Sequence, residues 1–415
     1  MPAPRHTARD LALQCLHRWE AGGVFAETLI RDACRELSAA DRALVQAIVL
    51  GTLRHLSRLE HILRTLRGGR HTQADARRLL LCGLCQLVIL QMPAYAVVNE
   101  MVNLAPRHLR PLVNGVLRQA ARRAEEWQAE LPQLPPSVRY SMPEWIVKRW
   151  TARWGAEECH ALLRSMGEPA PVCLRVNALR PLPSLPDGWQ PVPDAEGWYT
   201  LADGNLPTEA LQAGQVYVAD PSTRYSIELL QPRAGERILD TCAAPGGKSA
   251  GILSATLGRC HLLATDAEKH RLPTLRENLA RTGAEDVRVE HHDWTRPCPP
   301  DWQGAFDAVL VDAPCSNSGV FRRRVDARWR LTPAELRSLT ATQLTILKHA
   351  AQAVRPGGRL VYSTCSIEEE ENRSIVEKLL RSCPDFTLEK DFLALPHRVE
   401  SDGAYAALLH RRAEA

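Results

Sequence analysis

At 415 residues, 45 % of them hydrophobic, the chain is long enough to bury substantial cores and to form two or three domains. Its most apolar run, LLLCGLCQLVIL at residues 79–90, is too short to span a bilayer, and the polar start MPAPRHTARD has no signal-peptide core. The expectation is therefore a cytoplasmic protein, neither membrane-bound nor secreted. The net charge of +4 is uneven: residues 1–135 carry 18 Arg and 12 acids, a net +6 against −2 for the rest, which marks the basic end as the candidate nucleic-acid face. Charge of this size also serves plain solubility. Twelve cysteines without small-domain spacing read as reduced thiols, of which one or two could do chemistry.

In chain order, Ala8, Leu11, Ala12, Cys15, Leu16 and Trp19 recur at three- and four-residue spacing and predict an amphipathic helix opening an all-helical region over residues 1–131. The run at 79–90 is apolar all round and predicts that region's central buried helix. Its Cys82-x-x-Cys85 pair reads as core packing, because a zinc site needs a second ligand pair and none is near; no metal is expected. ELPQLPPSVRY, at 130–140, sets three prolines where a helix cannot continue and marks a boundary. Over 138–218, EWIVKRW, PVCLRVNAL and the proline-rich RPLPSLPDGWQPVPD predict a small α+β module with a long loop.

From 219 to 415 short apolar strands alternate with helices: RILD (237–240), HLLATD (261–266), VRVE (287–290), FDAVLVD (306–312) and GRLVYSTC (358–365). This alternation predicts a mostly parallel, doubly wound sheet, whose ligands lie beyond the carboxyl ends of the strands where the strand order reverses. Asp240, Asp266, Asp293, Asp312 and Cys365 all fall at or just past such ends. Acids at these places also serve as helix caps, so their weight lies in their number.

After RILD comes TCAAPGGKSAGIL, a small-residue turn opening a helix, where backbone N–H groups can approach a ligand closely. A phosphate-binding P-loop would need glycine at 242, where Cys242 stands, and the dinucleotide pattern G-x-G-x-x-G is absent. A cofactor with ribose and adenine but no phosphate wants a carboxylate after the second strand and a polar group after the third, and Asp266 and Asp293 occupy those places. S-adenosylmethionine fits that pattern.

DTCAAPGGKS, VDAPCSNSG (311–319) and VYSTCSIEEEEN, in this order, resemble the hallmark motifs of the RNA cytosine-C5 methyltransferases, and the segments at 219–224 and 402–411 resemble that family's flanking stretches. ARDLALQCL and VVNEMVNLAP with LVNGVLRQ are similar to the helical NusB RNA-binding fold. The combination resembles the RsmB (Sun/Fmu) methyltransferases over nearly the whole chain. Ser249 stands where the family usually has Thr, and Val325 where a His-Pro pair is common.

The resemblance implies three parts: an all-α NusB-like domain, a small α+β RRM-like module and an α/β Rossmann-like methyltransferase domain. It implies S-adenosylmethionine held by Cys242, Ala243, Ala244, Pro245, Gly246, Gly247, Lys248, Asp266, Asp293 and Asp312. Its implied substrate is one cytosine of 16S ribosomal RNA, that numbered 967, in unassembled or partly assembled RNA. Cytosine C5 is a poor nucleophile, and adding a thiolate at C6 turns the ring into an enamine that can attack a sulfonium methyl. The resemblance assigns Cys365 as that nucleophile, Cys315 as the residue aiding release, Asp312 as a partner of the base and Lys248 as its assistant. Cys315 and Cys365 could also be small core residues. Arg322, Arg323, Arg324 and Arg328, interleaved with Phe321 and Trp329, are the expected RNA contacts; a solvated helix start is the alternative. An RNA-binding scaffold without catalysis would need neither both thiols and Asp312 nor the cofactor loop.

Overall fold

The computed structural model describes residues 7–201, 204–284 and 287–413, and they form two compact units. One comprises the chain up to Pro169 together with Phe321–Arg330; the other comprises Ala170–Val320 and the chain from Leu331 onward.

The first unit is helical. The helix Ala8–Glu20 starts where Thr7 accepts a hydrogen bond from the Asp10 N–H at 3.2 Å, and it buries Ala12, Cys15 and Leu16, three residues of the expected stripe. The apolar run folds as the end of the helix Ala74–Leu84 followed by a π-helical turn, Cys85–Ile89. Cys82 and Cys85 are fully buried there, and desolvation pushes the Cys85 thiol up to about 12. Gly83 lets this helix approach Arg110–Arg122 closely, since a Cβ at Gly83 would lie 2.7 Å from a Leu117 methyl. The prolines at 132–136 do not end the unit. The helices Glu144–Trp154 and Ala156–Gly167 belong to it as well, beyond the boundary that proline content suggests.

They belong because Phe321–Arg330 packs among them. Phe321, Val325 and Trp329 recur at helical spacing, and this face turns inward. Phe321 stacks on Trp150 with centroids 6.2 Å apart, Val325 joins the helical core, and Trp329 donates its indole N–H to the Leu53 carbonyl at 2.8 Å. Asp326 accepts from the Ala26 N–H at 2.8 Å and the Trp19 indole at 3.2 Å. Arg328 goes in with them. It is fully buried, donating to the carbonyls of Phe321 (2.8 Å), Met166 (3.0 Å) and Ser141 (3.3 Å), and desolvation with Arg54 nearby lowers it to about 9. The expectation of four RNA-contacting arginines is thus corrected: Arg328 is an internal strut and Arg322 is buried, whereas Arg323 is half-buried and Arg324 exposed. The interleaved aromatics Phe321 and Trp329 help draw the segment inward.

The second unit holds two sheets. β1 (Cys173–Val176), β2 (Trp189–Pro191), β3 (Trp198–Leu201) and β4 (Val216–Val218) form an antiparallel sheet ordered β2-β3-β1-β4. The larger sheet contains β5 (Arg237–Asp240), β6 (His261–Asp266), β7 (Arg288–His291), β8 (Phe306–Asp312), β9 (Val354–Thr364), β10 (Phe386–Ala394) and β11 (Ala404–Arg411), ordered β10-β11-β9-β8-β5-β6-β7. The five strands β5 to β9 run parallel, while β11 and β10 add antiparallel strands at one edge. Helices cover both faces, so the central strands are apolar on both sides: Val309 and Val311 of β8 face one core, Ala308 and Leu310 the other. The chain runs outward from β5 through β6 to β7 and then returns to β8 beside β5, so the order reverses between β5 and β8.

Arg328→Ala leaves three buried carbonyls unpaired and opens a cavity, and is expected to lower the unfolding free energy by about 3 kcal/mol or more in urea titration. Arg324→Ala should change it by less than about 0.5 kcal/mol; similar losses from both would contradict the internal role of Arg328.

Candidate active site

Both strands at the reversal end in an acid. Asp240 closes β5 and is fully buried; Ser249, on the helix Gly247–Thr256, donates to its Oδ2 at 2.6 Å, and Oδ1 has no hydrogen-bond partner. Burial raises the Asp240 carboxyl to about 7 against the Ser249 bond, with the charges of Asp312 and Asp266 adding to the rise. Between β5 and that helix lies the small-residue turn. It is anchored by the Ala243 N–H on the Thr265 carbonyl (2.8 Å), and Gly246, at φ +110°, adopts a backbone open to glycine. Cys242 packs against the sheet core, where burial pushes its thiol up to about 12.

Asp266 ends β6 beside this turn, as expected for a ribose partner, but its oxygens already hold the loop. Oδ2 accepts from the Ala244 N–H and Oδ1 from the Glu268 N–H, both at 3.0 Å, and Arg271 lies 3.6 Å away while donating to the Ala244 carbonyl at 2.5 Å. Each carboxylate oxygen has a second lone pair, so this bracing does not exhaust it. Asp293 follows β7. Hydrogen bonds from the Thr295 hydroxyl (2.7 Å) and N–H (2.9 Å) hold its carboxyl below the usual range.

Asp312 ends β8 and forms an ion pair with Lys248 at 2.6 Å. Burial works against the Lys248 charge, yet Asp312, helped by Cys365 and Asp240, holds the ammonium above its ordinary value. Ser363 donates to the other Asp312 oxygen at 3.3 Å. The two thiols meet here. Cys315, on the turn after β8, and Cys365, just past β9, have sulfurs 3.2 Å apart. Cys365 also hydrogen-bonds Asn317 Oδ1 at 3.4 Å, and Asn317, in the left-handed region at φ +60°, donates to the Cys315 carbonyl at 2.9 Å. The hydrogen bond to Cys365 and then burial keep the Cys315 thiol far above its usual value, with the Glu371 charge adding to both. Either sulfur can donate across this 3.2 Å contact.

The structure thus gathers Lys248, Asp312, Cys315 and Cys365 at one rim, with Asp240 and Asp266 within electrostatic reach. Sequence reasoning missed Asn317, Arg271 and Glu371. Asn317 offered a signal, since asparagine is the residue that best tolerates a left-handed turn after glycine. Glu371 sits in a run of four acids that reads as solvated, yet it is fully buried. Among the described residues no group of three or more His, Cys, Asp or Glu could hold a metal, and no helix is long and apolar enough to cross a membrane.

Family models match three segments: the 16S rRNA methyltransferase RsmB/F model at residues 227–410, the NusB family model at 6–122 and the RsmF/B-like ferredoxin-like domain at 142–181. The ribosomal RNA small subunit methyltransferase B of Klebsiella pneumoniae is 34 % identical over 434 aligned positions, covering 97 % of this chain and 98 % of that protein. The crystal structure of PH0851 superposes with a TM-score of 0.77 at 22 % identity, over 99 % of this chain and 100 % of that one. A methyltransferase homologue from Pyrococcus horikoshii does so with a TM-score of 0.58 at 26 % identity, over 66 % of this chain and 97 % of that one. With a relative this similar along its whole length, and with a lysine–carboxylate pair and two touching thiols at the rim of a methyltransferase sheet, the chain belongs to the ribosomal RNA small subunit methyltransferase B family.

Proposed function

We propose that the protein transfers a methyl group from S-adenosylmethionine to C5 of a cytosine in 16S ribosomal RNA, that numbered 967, through a transient bond between Cys365 and C6. The observation that carries this reading is the 3.2 Å contact between Cys315 and Cys365 beside the Lys248–Asp312 pair. Two packed core cysteines would have no need of a charged pair at their side.

The residues present fit the cofactor. The buried, unpartnered Asp240 Oδ1 and the carboxylates of Asp266 and Asp312 favour a cation, and the two positive groups beside the turn, Lys248 and Arg271, are already paired with Asp312 and Asp266. The turn at 242–247 together with Lys248, Asp266, Asp293 and Asp312 would hold it, with Asp266 and Asp293 toward the nucleoside. Bound there, S-adenosylmethionine supplies an electrophilic methyl on a sulfonium.

The chain's own residues do the rest. The Cys365 thiol loses its proton to solvent, its sulfur adds to C6 and the C5–C6 electrons move onto C5. Asp312 accepts from the exocyclic amine of the base, and the Lys248 ammonium lies ready to protonate N3 as charge builds there. Once C5 has gained the methyl, its proton is lost to solvent, the C5–C6 double bond reforms as the Cys365 thiolate leaves, and N3 returns its proton to Lys248. A leaving thiolate needs stabilisation, and the protonated Cys315 supplies a hydrogen-bond donor at its side. The target base must be reachable, so it lies in a loop or is flipped out at a cost of a few kcal/mol.

The helical unit supplies an RNA surface. A groove of about 850 Å³ between the helices Ala94–Leu104 and Arg110–Arg122 is lined by Arg110, Arg118, Arg122 and Asn114, with no acid among its lining residues and with Tyr95 83 % exposed at its edge. Cations with an exposed aromatic suit unpaired RNA. Unassembled or partly assembled ribosomal RNA offers such segments, and this substrate implies the cytoplasm.

Cys365→Ala should abolish both methylation and any RNA adduct, whereas Cys315→Ala should accumulate an adduct that survives denaturing electrophoresis; the reverse pattern would exchange the two roles. Asp266→Ala should weaken S-adenosylmethionine binding about ten- to hundredfold, the loss of charge-assisted hydrogen bonds worth ~1.5–3 kcal/mol; equilibrium dialysis with labelled cofactor reads this, and an unchanged affinity in a folded variant removes Asp266 from the site. Replacing Arg110, Arg118 and Arg122 together by Gln should reduce the slope of log affinity against log salt by about 2 for single-stranded RNA. An unaltered slope would place the RNA elsewhere.

A further inference from the structure

Glu371 is a fully buried side chain that carries no role in the catalytic cycle described above. Its carboxylate accepts four hydrogen bonds: from the Ser316 N–H (2.8 Å) and hydroxyl (2.5 Å), from Gln343 Nε2 (2.9 Å), and from the Ser366 hydroxyl. Ser316 is the residue after Cys315, and Ser366 is the residue after Cys365. A single carboxylate therefore clasps both thiol-bearing turns from behind. Around it the same two turns are joined again: the Ser316 and Ser318 hydroxyls lie 3.2 Å and 3.0 Å from that of Ser366, the Ile367 N–H donates to the Ser318 hydroxyl at 2.9 Å, and the Gly319 N–H donates to the Cys365 carbonyl at 3.0 Å. The clasp is itself held in place. Tyr362, on β9, donates to the Glu371 carbonyl at 2.7 Å, and Gln343 reaches the Pro314 carbonyl at 2.9 Å.

Stability alone does not account for this choice. Taking a carboxylate out of water costs several kcal/mol, and a well-packed apolar residue of similar volume commonly does as well or better in such a place. What an apolar residue cannot do is accept from donors on two separate turns at once. A fixed acceptor with two oxygens imposes the spacing of its donors, and here those donors are one residue away from each sulfur.

We propose that Glu371 is a positioning residue: by clasping the turns after β8 and β9 it fixes the separation of Cys315 and Cys365, so that both formation and release of the Cys365–C6 bond depend on it. The inference rests on the covalent reading above. Glutamine at this place keeps the shape but replaces an acceptor oxygen by a donor, which faces donors, so the clasp opens.

The test uses the full chain and an RNA fragment carrying the target cytosine, with labelled S-adenosylmethionine binding as the measure of the folded fraction. Glu371→Gln should lower kcat about a hundredfold, the scale for displacing a reacting group by about 1 Å, with KM for RNA and cofactor stoichiometry unchanged. In single-turnover reactions Cys315→Ala should form the denaturation-resistant adduct quickly, and Cys315→Ala with Glu371→Gln should form it at least tenfold more slowly. Ser366→Ala, which removes one donor and leaves the carboxylate, should show the same defect in weaker form. The inference is overturned if the double variant forms adduct at the rate of Cys315→Ala, or if activity falls only in proportion to lost cofactor-binding sites. Absence of adduct from Cys315→Ala alone would instead sink the covalent reading and this inference with it.

Discussion

The register between β8 and β9 is the constraint on which the rim depends. The two strands pair in parallel with Asp312 opposite Ser363, so the chain leaves both at the same level and in the same direction. Three further residues on one side and two on the other bring Cys315 and Cys365 to the same height. Neighbouring strands lie about 4.8 Å apart, and two short side chains leaning toward one another close the remaining gap. A slip of one residue would turn one thiol to the opposite face of the sheet. The register is safe because both faces of the central strands are buried against helices, so a slip would also expose apolar side chains on one face and bury mismatched ones on the other.

On that rim the electrostatics are arranged around a single cation. Lys248 has three acidic or thiol neighbours within reach, Asp312, Cys365 and Asp240, and Asp312 is its ion-pair partner at 2.6 Å. Without the ammonium, Asp240, Asp266 and Asp312 would repel one another in a partly desolvated pocket. Asp240 shows this tension, since its burial and its acidic neighbours bring its titration close to neutrality.

Much of this was legible from local pattern. RILD, HLLATD and FDAVLVD are strands with the bounds that their apolar runs suggest, because a strand buried on both faces announces itself as a continuous apolar stretch. The acids and thiols at strand mouths followed from the topology that those strands imply. β10 was not legible: FTLEKDFLA is an edge strand with the charged run Glu389-Lys390-Asp391 and a bulge between Leu388 and Lys390, and nothing local says which strand it pairs with. Segments 219–224 and 402–411 were recognisable only as stretches of a family, and the structure gives one physical reason for them, since Asp220 accepts a hydrogen bond from the Asp402 N–H at 2.9 Å. Burial of Glu371 and Arg328 was invisible for a common reason. A charged residue in a polar run looks solvated until the donors or carbonyls that receive it, distant in sequence, are known.

The Phe321–Arg330 excursion has a consequence for the order in which the protein is made. The helical unit is complete up to Pro169 except for one strip of its core, and the residues that fill it are encoded roughly 160 positions later. At 5–20 residues per second a ribosome needs about 10 to 30 s to supply them. During that interval the N-terminal helices exist on the nascent chain with the places of Phe321, Val325 and Arg328 open, and the last step of their folding waits on a segment threaded through the catalytic part of the chain. The NusB-like region is therefore not a detachable module in folding terms, although its sequence matches a family of its own.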